Sequence, residues 1–506
     1  VRYFNEGIFR EKTIKPFPSI NAKFILFSFK STILAPKYCF MKRRDLLKTS
    51  ALGSLGLGMM QSCGSASELW YSEKPLRKAK NIIFMVSDGM SAGTFNMADM
   101  LSKRQFGKQT AWLDLNLSRG TRRAMMETFS ADSLVTDSAA GGSAWGGGQR
   151  VFNGRLNQDE QGNCHTPILQ KFKAAGKAVG CVTTVPITHA TPASFSVCNE
   201  SRRNQADIAK QYIDIKFDVM LGGGLEFFDK NLRKDGEDVF ASFENQGFGV
   251  AKNKSEMNQL RLSDKPVLGV FHESALPYTI DHLNDDQLKQ NVPTLREMSL
   301  FAIDKMKNNP KGFVMQIEGG KVDWAAHGND VAGLLYDQIA FDETIAAVMD
   351  FARRDGNTLV IITTDHGNAN PGLLYGKKAN DNFDRLQRFK HSNEWVFKQV
   401  EQGITPSQFI QLMEFAQATV LTEDEAKLIT NHINGVSEED MKNPSKLPFM
   451  SLAEIQKNYT SVGWISDNHT ADFVELTMFG PGCEMLKPFV KNYELHNFML
   501  VASGVV

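Results

Sequence analysis

Several apolar runs in this chain are continuous rather than alternating. Residues 81–87, 179–184, 313–317 and 359–364 are short and rich in Val, Ile and Thr, and turn or polar residues bound them. Strands covered on both faces read this way, whereas half-exposed strands alternate. Residues 124–129, 217–221 and 473–479 predict further strands, the last stopped by Gly480-Pro481-Gly482. Residues 166–175 predict a short helix ended by Gly176. Strands alternating with helices predict an α/β fold, a three-layer α/β/α sandwich around a large, mostly parallel sheet. Residues 225–265 are polar and read as peripheral.

Residues 371–463 break this rhythm. Residues 405–418 and 422–433 predict amphipathic helices, and Thr422 with Glu425 has capping-box spacing. This stretch is read as a helical insertion that covers the sheet edge or overhangs the functional site, with packing or a subunit contact as the plainer alternative.

At 506 residues the chain is long enough for one large domain with insertions. The basic and acidic residues balance at 57 each, so no charge excess points to a nucleic-acid partner. The amino terminus joins two unlike texts. Residues 1–40 are aromatic and basic without a clean period, and are read as upstream sequence translated in error, with Met41 the true start. Residues 41–63 combine Lys42-Arg43-Arg44, a short apolar stretch and small residues: an export signal resembling the twin-arginine type. Cys63 stands where a bacterial lipoprotein would be cleaved and lipidated, although Met60-Gln61-Ser62 departs from the usual preceding residues. Export to the periplasm, free or anchored by lipid on Cys63, is therefore expected; ordinary cleavage nearby is the alternative. Residues 64–79 read as a linker, 80–482 as the main domain and 483–506 as a tail. An exported protein can pair cysteines among Cys164, Cys181, Cys198 and Cys483, but spacing specifies no pairing.

The predicted strand ends carry the chemistry. Asp88-Gly89 follows the first run, His189-Ala190-Thr191 the second, Glu318 with Asp323 and His327 the third, and Asp365-His366 the fourth. Ligands of open α/β sheets gather at the carboxyl ends of strands. Carboxylates and imidazoles in such numbers suit zinc or magnesium. Thr136-Asp137-Ser138-Ala139-Ala140 places a serine at the start of a small-residue helix, where unpaired N–H groups favour an anion. A serine hydroxyl needs a base or a metal to become a nucleophile. No Gly-x-Ser-x-Gly elbow is present, which disfavours an ordinary serine hydrolase.

Taken together, Ser87-Asp88-Gly89, Thr136-Asp137-Ser138-Ala139-Ala140, His189-Ala190-Thr191-Pro192-Ala193, Glu318-Gly319-Gly320-Lys321-Val322-Asp323, His327-Gly328-Asn329-Asp330, Thr364-Asp365-His366-Gly367 and His469-Thr470-Ala471 resemble the motifs of the alkaline phosphatase family, in the family's order. The resemblance implies an alkaline-phosphatase-like sandwich that hydrolyses small phosphate monoesters. It implies Ser138 as the nucleophile of a phosphoseryl intermediate. It implies one zinc on Asp323, His327 and His469, a second on Asp88, Asp365 and His366, and a magnesium near Asp88, Thr191 and Glu318. Arg202 stands where the family's phosphate-gripping arginine is expected, as a bidentate fork. Relatives are commonly dimers, so a homodimer is expected on the same ground.

Two positions depart from the best-known bacterial pattern. His189 replaces an aspartate and is expected near substrate and magnesium, acting through water. Trp324 replaces a lysine or histidine, and so brings no positive charge to phosphate. Three divalent ions and Arg202, set against four carboxylates, leave a positive surplus that a monoester dianion and a serine alkoxide neutralise; a diester does not. A related phosphodiesterase or sulfatase is the second enzymatic reading, although the Cys/Ser-x-Pro-x-Arg motif of a sulfatase is missing around Ser138. A non-catalytic metal- or phosphate-binding lipoprotein is a third reading. His165, His272, His282, His391, His432 and His496 fall outside these motifs and are read as surface or structural.

Overall fold

A strand whose residues are all apolar needs cover on both sides, and the central strands of this protein have it. The computed structural model describes residues 77–505; residues 1–40, the expected export signal and Cys63 lie outside the described residues. The main strands are β1 (Asn81–Ser87), β2 (Thr121–Glu127), β3 (Ala178–Pro186), β4 (Val219–Gly223), β5 (Gly249–Ala251), β6 (Val267–Val270), β7 (Phe313–Gly319) and β8 (Thr358–Thr363). With Val474–Phe479 and Phe489–Lys491 they form one ten-stranded sheet. Strands β8, β1, β7, β3, β4, β6 and β5 lie side by side, all parallel. Beyond β8, the strand Val474–Phe479 runs antiparallel to both β8 and β2, and it is the reversed member of the sheet.

Every residue of β1, β3, β7 and β8 is buried. Side chains still alternate between two cores, as the pleat requires. Ile83 and Met85 of β1 enter one core, with Met315 and Ile317 of β7; Ile82, Phe84 and Val86 enter the other, with Val314. The 25-residue helix Val331–Asp355 supplies much of the first core, and the helices Ser138–Gly147 and Ala190–Ser196 help cover the second face.

Residues 372–463 fold mainly as helices, including Asn393–Lys398, Pro406–Gln417, Glu423–Gly435 and Phe449–Thr460, around their own cluster of Phe409, Met413, Ile429, Ile433 and Leu452. Capping boxes close the starts of two of these helices, at Thr405 with Gln408 and at Thr422 with Glu425. Gly372–Leu373 pairs with Val462–Gly463 and ties the ends of this stretch together.

One expectation is corrected. Residues 483–506 are not a tail after the Gly480-Pro481-Gly482 stop. Phe489–Lys491 pairs in parallel with β2, and the helix Glu494–Ser503 buries Leu495, Phe498 and Met499 in the second core. A three-residue edge strand leaves no periodic trace in a sequence, and its burial is decided by β2, a strand far earlier in the chain. Because Leu495 is fully buried, Leu495→Ala is expected to destabilise the whole protein by about 2–5 kcal/mol. Denaturant unfolding measures this, and a change under about 0.5 kcal/mol, typical of surface sites, would show that this helix is dispensable.

Candidate metal centre

The parallel strands end on the same edge of the sheet, so the residues just past each of them converge. Asp88 comes directly after β1, Glu318 sits near the end of β7, and Asp365 and His366 lie just beyond β8. His189 and Thr191 lie just past β3, at the start of the helix Ala190–Ser196. The helix Lys321–His327, next in the chain after β7, places Asp323 and His327 on one face. His469 arrives from far along the chain through a two-residue strand, His469–Thr470, paired with Gly367–Asn368. That pairing stacks the His469 ring on His366, with centroids 3.7 Å apart.

Tight turns let the elements approach this closely. Gly89 has φ of +66°, and a Cβ there would lie 2.6 Å from Asp323 Oδ1; only glycine fits between the two loops. Gly142 packs its helix against Ser194, where a Cβ would stand 2.1 Å from the Ser194 Oγ. The small residues after Ser138 therefore serve close packing between the helices Ser138–Gly147 and Ala190–Ser196. Asp137 caps the first of these by accepting from Ala140 N at 2.9 Å. Ser138 opens the helix with its Oγ 3.2 Å from His366 Nε2.

The imidazoles are aimed by backbone carbonyls. His327 Nδ1 donates to Asp467 O at 2.7 Å, His469 Nδ1 to Thr136 O at 2.9 Å and His366 Nδ1 to Gly367 O at 3.2 Å. With Nδ1 as the donor, each neutral ring presents an unprotonated Nε2 to the centre. The His327 and His469 Nε2 atoms face each other at 3.1 Å. Each also lies near an oxygen of Asp323, at 3.5 Å for His327 and 3.6 Å for His469. Two opposed lone pairs beside a carboxylate call for a cation.

The carboxylates make the same demand. Asp88 Oδ1, Glu318 Oε1 and Asp365 Oδ2 are buried and find no hydrogen-bond partner among the described residues. Three groups converge within 4.8 Å: Asp323 with His327 and His469; Asp88 with Asp323 and His366; and Asp88 with His189 and Glu318. Thr191 Oγ1 donates to Asp88 Oδ2 at 3.4 Å. Asp365 Oδ2 lies 3.4 Å and Asp88 Oδ1 3.5 Å from His366 Nε2. This donor set of hard oxygens and imidazole nitrogens, several of them orphaned, suits divalent cations.

Proton affinities follow from burial. Burial, with Asp365, Asp323 and Glu318 next, raises Asp88 well above the usual carboxylate range. Burial lifts Glu318 to about 7 against hydrogen bonds from Thr183 and Thr191. Burial, with Asp323 beside it, lifts Asp365 to about 6. Asp323 goes the other way: positive charge at the imidazoles of His327, His469 and His366, when they carry it, outweighs burial and holds it below its ordinary value. Burial and His469 hold His366 far down, and burial with Arg202 brings His189 to about 3.

At the rim, the Arg202 guanidinium donates from Nη1 to Asp137 Oδ2 at 3.0 Å, and its Nη2 lies 3.0 Å from His189 Nε2. These contacts hold it beside the residue that precedes Ser138, while the neighbouring Arg203 is exposed. The sequence reading puts His189 behind a water. The structure brings one of its ring nitrogens within 4.8 Å of Asp88 and Glu318 oxygens; with Nε2 accepting from Arg202, the neutral ring keeps its proton on the buried Nδ1. Trp324 stands edge-on to the His189 ring, 6.1 Å between centroids.

Supporting residues escaped the sequence reading. Asn368 Nδ2 donates to Asp323 Oδ1 at 2.7 Å, Thr183 Oγ1 donates to Glu318, and Thr364 Oγ1 accepts from Met90 N at 3.0 Å. Thr364 and Asn368 flank Asp365-His366 in sequence, which was the available signal; Thr183 carried none.

The chain is similar to known proteins over most of its length. The family model described as alkaline phosphatase matches residues 79–505. The chain is 30% identical over 486 residues to Alkaline phosphatase 4 of Bacillus subtilis (strain 168), covering 91% of this chain and 98% of that protein. The crystal structure of Thermus thermophilus alkaline phosphatase aligns with a TM-score of 0.79 at 31% identity, covering 85% of this chain and 92% of that one. The cold-active alkaline phosphatase of a Shewanella species aligns with a TM-score of 0.70 at 25% identity, covering 84% and 99%.

In metal-stripped protein, Glu318 binds its proton more tightly when folded than when unfolded. Its stabilising contribution is thus complete below about 4.5 and is lost as pH rises to about 7. Glu318→Gln is expected to melt at the same temperature as the parent at low pH and progressively higher across that window; added zinc and magnesium should reverse the order. Melting curves in chelator across pH measure this, and a difference that stays flat would contradict the assigned environment.

Proposed function

The chain belongs to the alkaline phosphatase family, and from that premise we propose that this hydrolase of phosphate monoesters works through a phosphoserine at Ser138, beside two zinc ions and one magnesium ion. The observation that carries the reading is Ser138 Oγ, 3.2 Å from His366 Nε2, at the edge of a buried cage in which Asp88 belongs to two ligand groups. Asp323, His327 and His469 would hold one zinc; Asp88, Asp365 and His366 would hold the second. Asp88, Glu318 and Thr191 would hold the magnesium, with His189 acting through water. When bound, these ions supply the positive charge that favours a serine alkoxide and offsets the charge of the phosphoryl oxygens.

The chain's own groups do the rest. Ser138 Oγ forms a bond to phosphorus as the bond to the ester oxygen breaks, and the alcohol leaves with a proton. Water then attacks the phosphoserine, returning the serine hydroxyl and inorganic phosphate. Arg202, held by Asp137 and His189, keeps N–H groups free for two phosphate oxygens. A dianionic monoester matches the charge of this site better than a diester, which also argues against the diesterase reading. The intact Ser138 and ligand set argue against a non-catalytic binder. Nothing in the sequence marks a dedicated pocket for the alcohol, so broad specificity is proposed.

Export is part of the same proposal. The Cys164–Cys198 disulfide supports an oxidising compartment such as the periplasm, and no described helix is long and apolar enough to cross a membrane. Lipid on Cys63 and a homodimer complete the proposal on the resemblance alone.

A chromogenic phosphate monoester at alkaline pH tests the reaction. Turnover should fall by at least about a thousandfold in Ser138→Ala, vanish with EDTA and return with zinc plus magnesium; turnover indifferent to chelator would refute it. Trp324→Lys is expected to tighten inhibition by inorganic phosphate roughly threefold to tenfold, because it adds a cation beside the anion. Inhibition that is unchanged or weaker would remove Trp324 from the phosphate's surroundings.

A further inference from the structure

Four consecutive residues of the insertion each contact the main domain, and the contacts bracket the helix that carries Asp323 and His327. His391 Nδ1 lies 3.1 Å from Asp281 Oδ1, and Ser392 donates to the same carboxylate from both its N and its Oγ. Asn393 N donates to Asp330 Oδ2 at 2.6 Å. Glu394 Oε2 pairs with Lys321 Nζ at 3.1 Å. Lys321 begins the helix Lys321–His327, and Asp330 stands shortly beyond its end. Two adjacent insertion residues therefore hold the ligand helix from its two ends.

Neither anchor is an incidental surface contact. Lys321 is 2% exposed, its ammonium lies 3.5 Å from the Tyr278 ring centroid and 5.1 Å from that of Trp324, and Glu394 is its ion-pair partner among the described residues. A buried ammonium is costly without its counter-charge, so the position of Glu394 constrains where the helix begins. Asp330 uses its other oxygen to accept from Ala332 N and Gly333 N, capping the helix Val331–Asp355. Asn393 is fixed from behind. Its side-chain amide exchanges hydrogen bonds with Gln456, Gln417 donates to Asn393 Oδ1, and Gln456 also donates to Gln417. This buried amide triad joins three helices of the insertion at the point of attachment.

We propose that residues 391–394 are a latch by which the insertion positions the ligand helix, with Glu394 and Lys321 as positioning residues for the cation site of Asp323, His327 and His469. The inference rests on the metal assignment proposed for those three residues. A ligand helix free to slide would misplace Asp323 and His327 relative to His469, which comes from a separate strand.

The test is zinc retention by the full protein against a competing chelator, together with the visible spectrum of the cobalt-substituted form. Glu394→Gln and Lys321→Met are expected to release the more weakly held zinc about 10- to 100-fold more readily, the scale of losing an outer partner of a ligand, and to alter the cobalt spectrum. The double variant removes both members of the ion pair together, so neither is left buried without the other; it should retain the same zinc defect, while Lys321→Arg should restore retention. Unchanged zinc release and spectrum in a protein that melts like the parent would overturn the latch, as would a zinc loss that merely tracks global unfolding. Asp323→Asn separates the two claims. If it too retains zinc normally, the metal assignment fails; if it loses zinc while Glu394→Gln does not, only the latch fails.

Discussion

The structure depends on one electrostatic constraint: Asp88, Glu318, Asp323 and Asp365 are buried together with three imidazoles whose unprotonated nitrogens face them. Among the described residues no lysine or arginine pairs with these four carboxylates; Arg202 stays at the rim on Asp137 and His189. Burying carboxylates without counter-charge is expensive. The raised proton affinities of Asp88, Glu318 and Asp365 express that expense. In the proposed function divalent cations would resolve it, and the same cations would make a serine hydroxyl useful at a helix start that already favours an anion.

The rest of the domain meets this constraint by geometry. Parallel strands deliver their carboxyl ends to one edge, so Asp88, His189, Glu318 and Asp365 need no long loops to meet. Where backbones must come closest, glycine replaces side chains, as at Gly89 against Asp323 and Gly142 against Ser194. Carbonyls of Thr136, Gly367 and Asp467 fix the imidazole tautomers. The fold's own contacts thus fix the orientation of the side chains that line the pocket.

The insertion extends the same logic outward. It has its own apolar cluster, so it folds around itself, yet it meets the main domain through buried polar groups: Asp281, Asp330 and Lys321 on one side, residues 391–394 on the other. Directional polar contacts fix position more sharply than apolar packing does, and these fall at the ends of a ligand helix. Such an attachment suits an element that sets geometry near the candidate metal centre more than one that only shields the sheet.

The continuous apolar runs and the turn residues closing them placed most of the sheet, and the ligand-type residues after them marked Asp88, Glu318, Asp365 and His366, because strand burial and strand-end chemistry are local properties of the chain; Arg202 and His469 came only with the family resemblance. The capping boxes of the insertion were legible for the same reason. Other features depend on partners distant in sequence. The closing strand Phe489–Lys491 exists only through β2, and the Cys164–Cys198 bridge was one pairing among several. His189 met Arg202, Asn368 became the clamp on Asp323, and Glu394 paired with Lys321 only through folding. Periodicity and spacing encode what a residue's neighbours in the chain demand; which distant backbone passes within about 3 Å of it, hydrogen-bonding distance, is a property of packing, and that was decided in three dimensions.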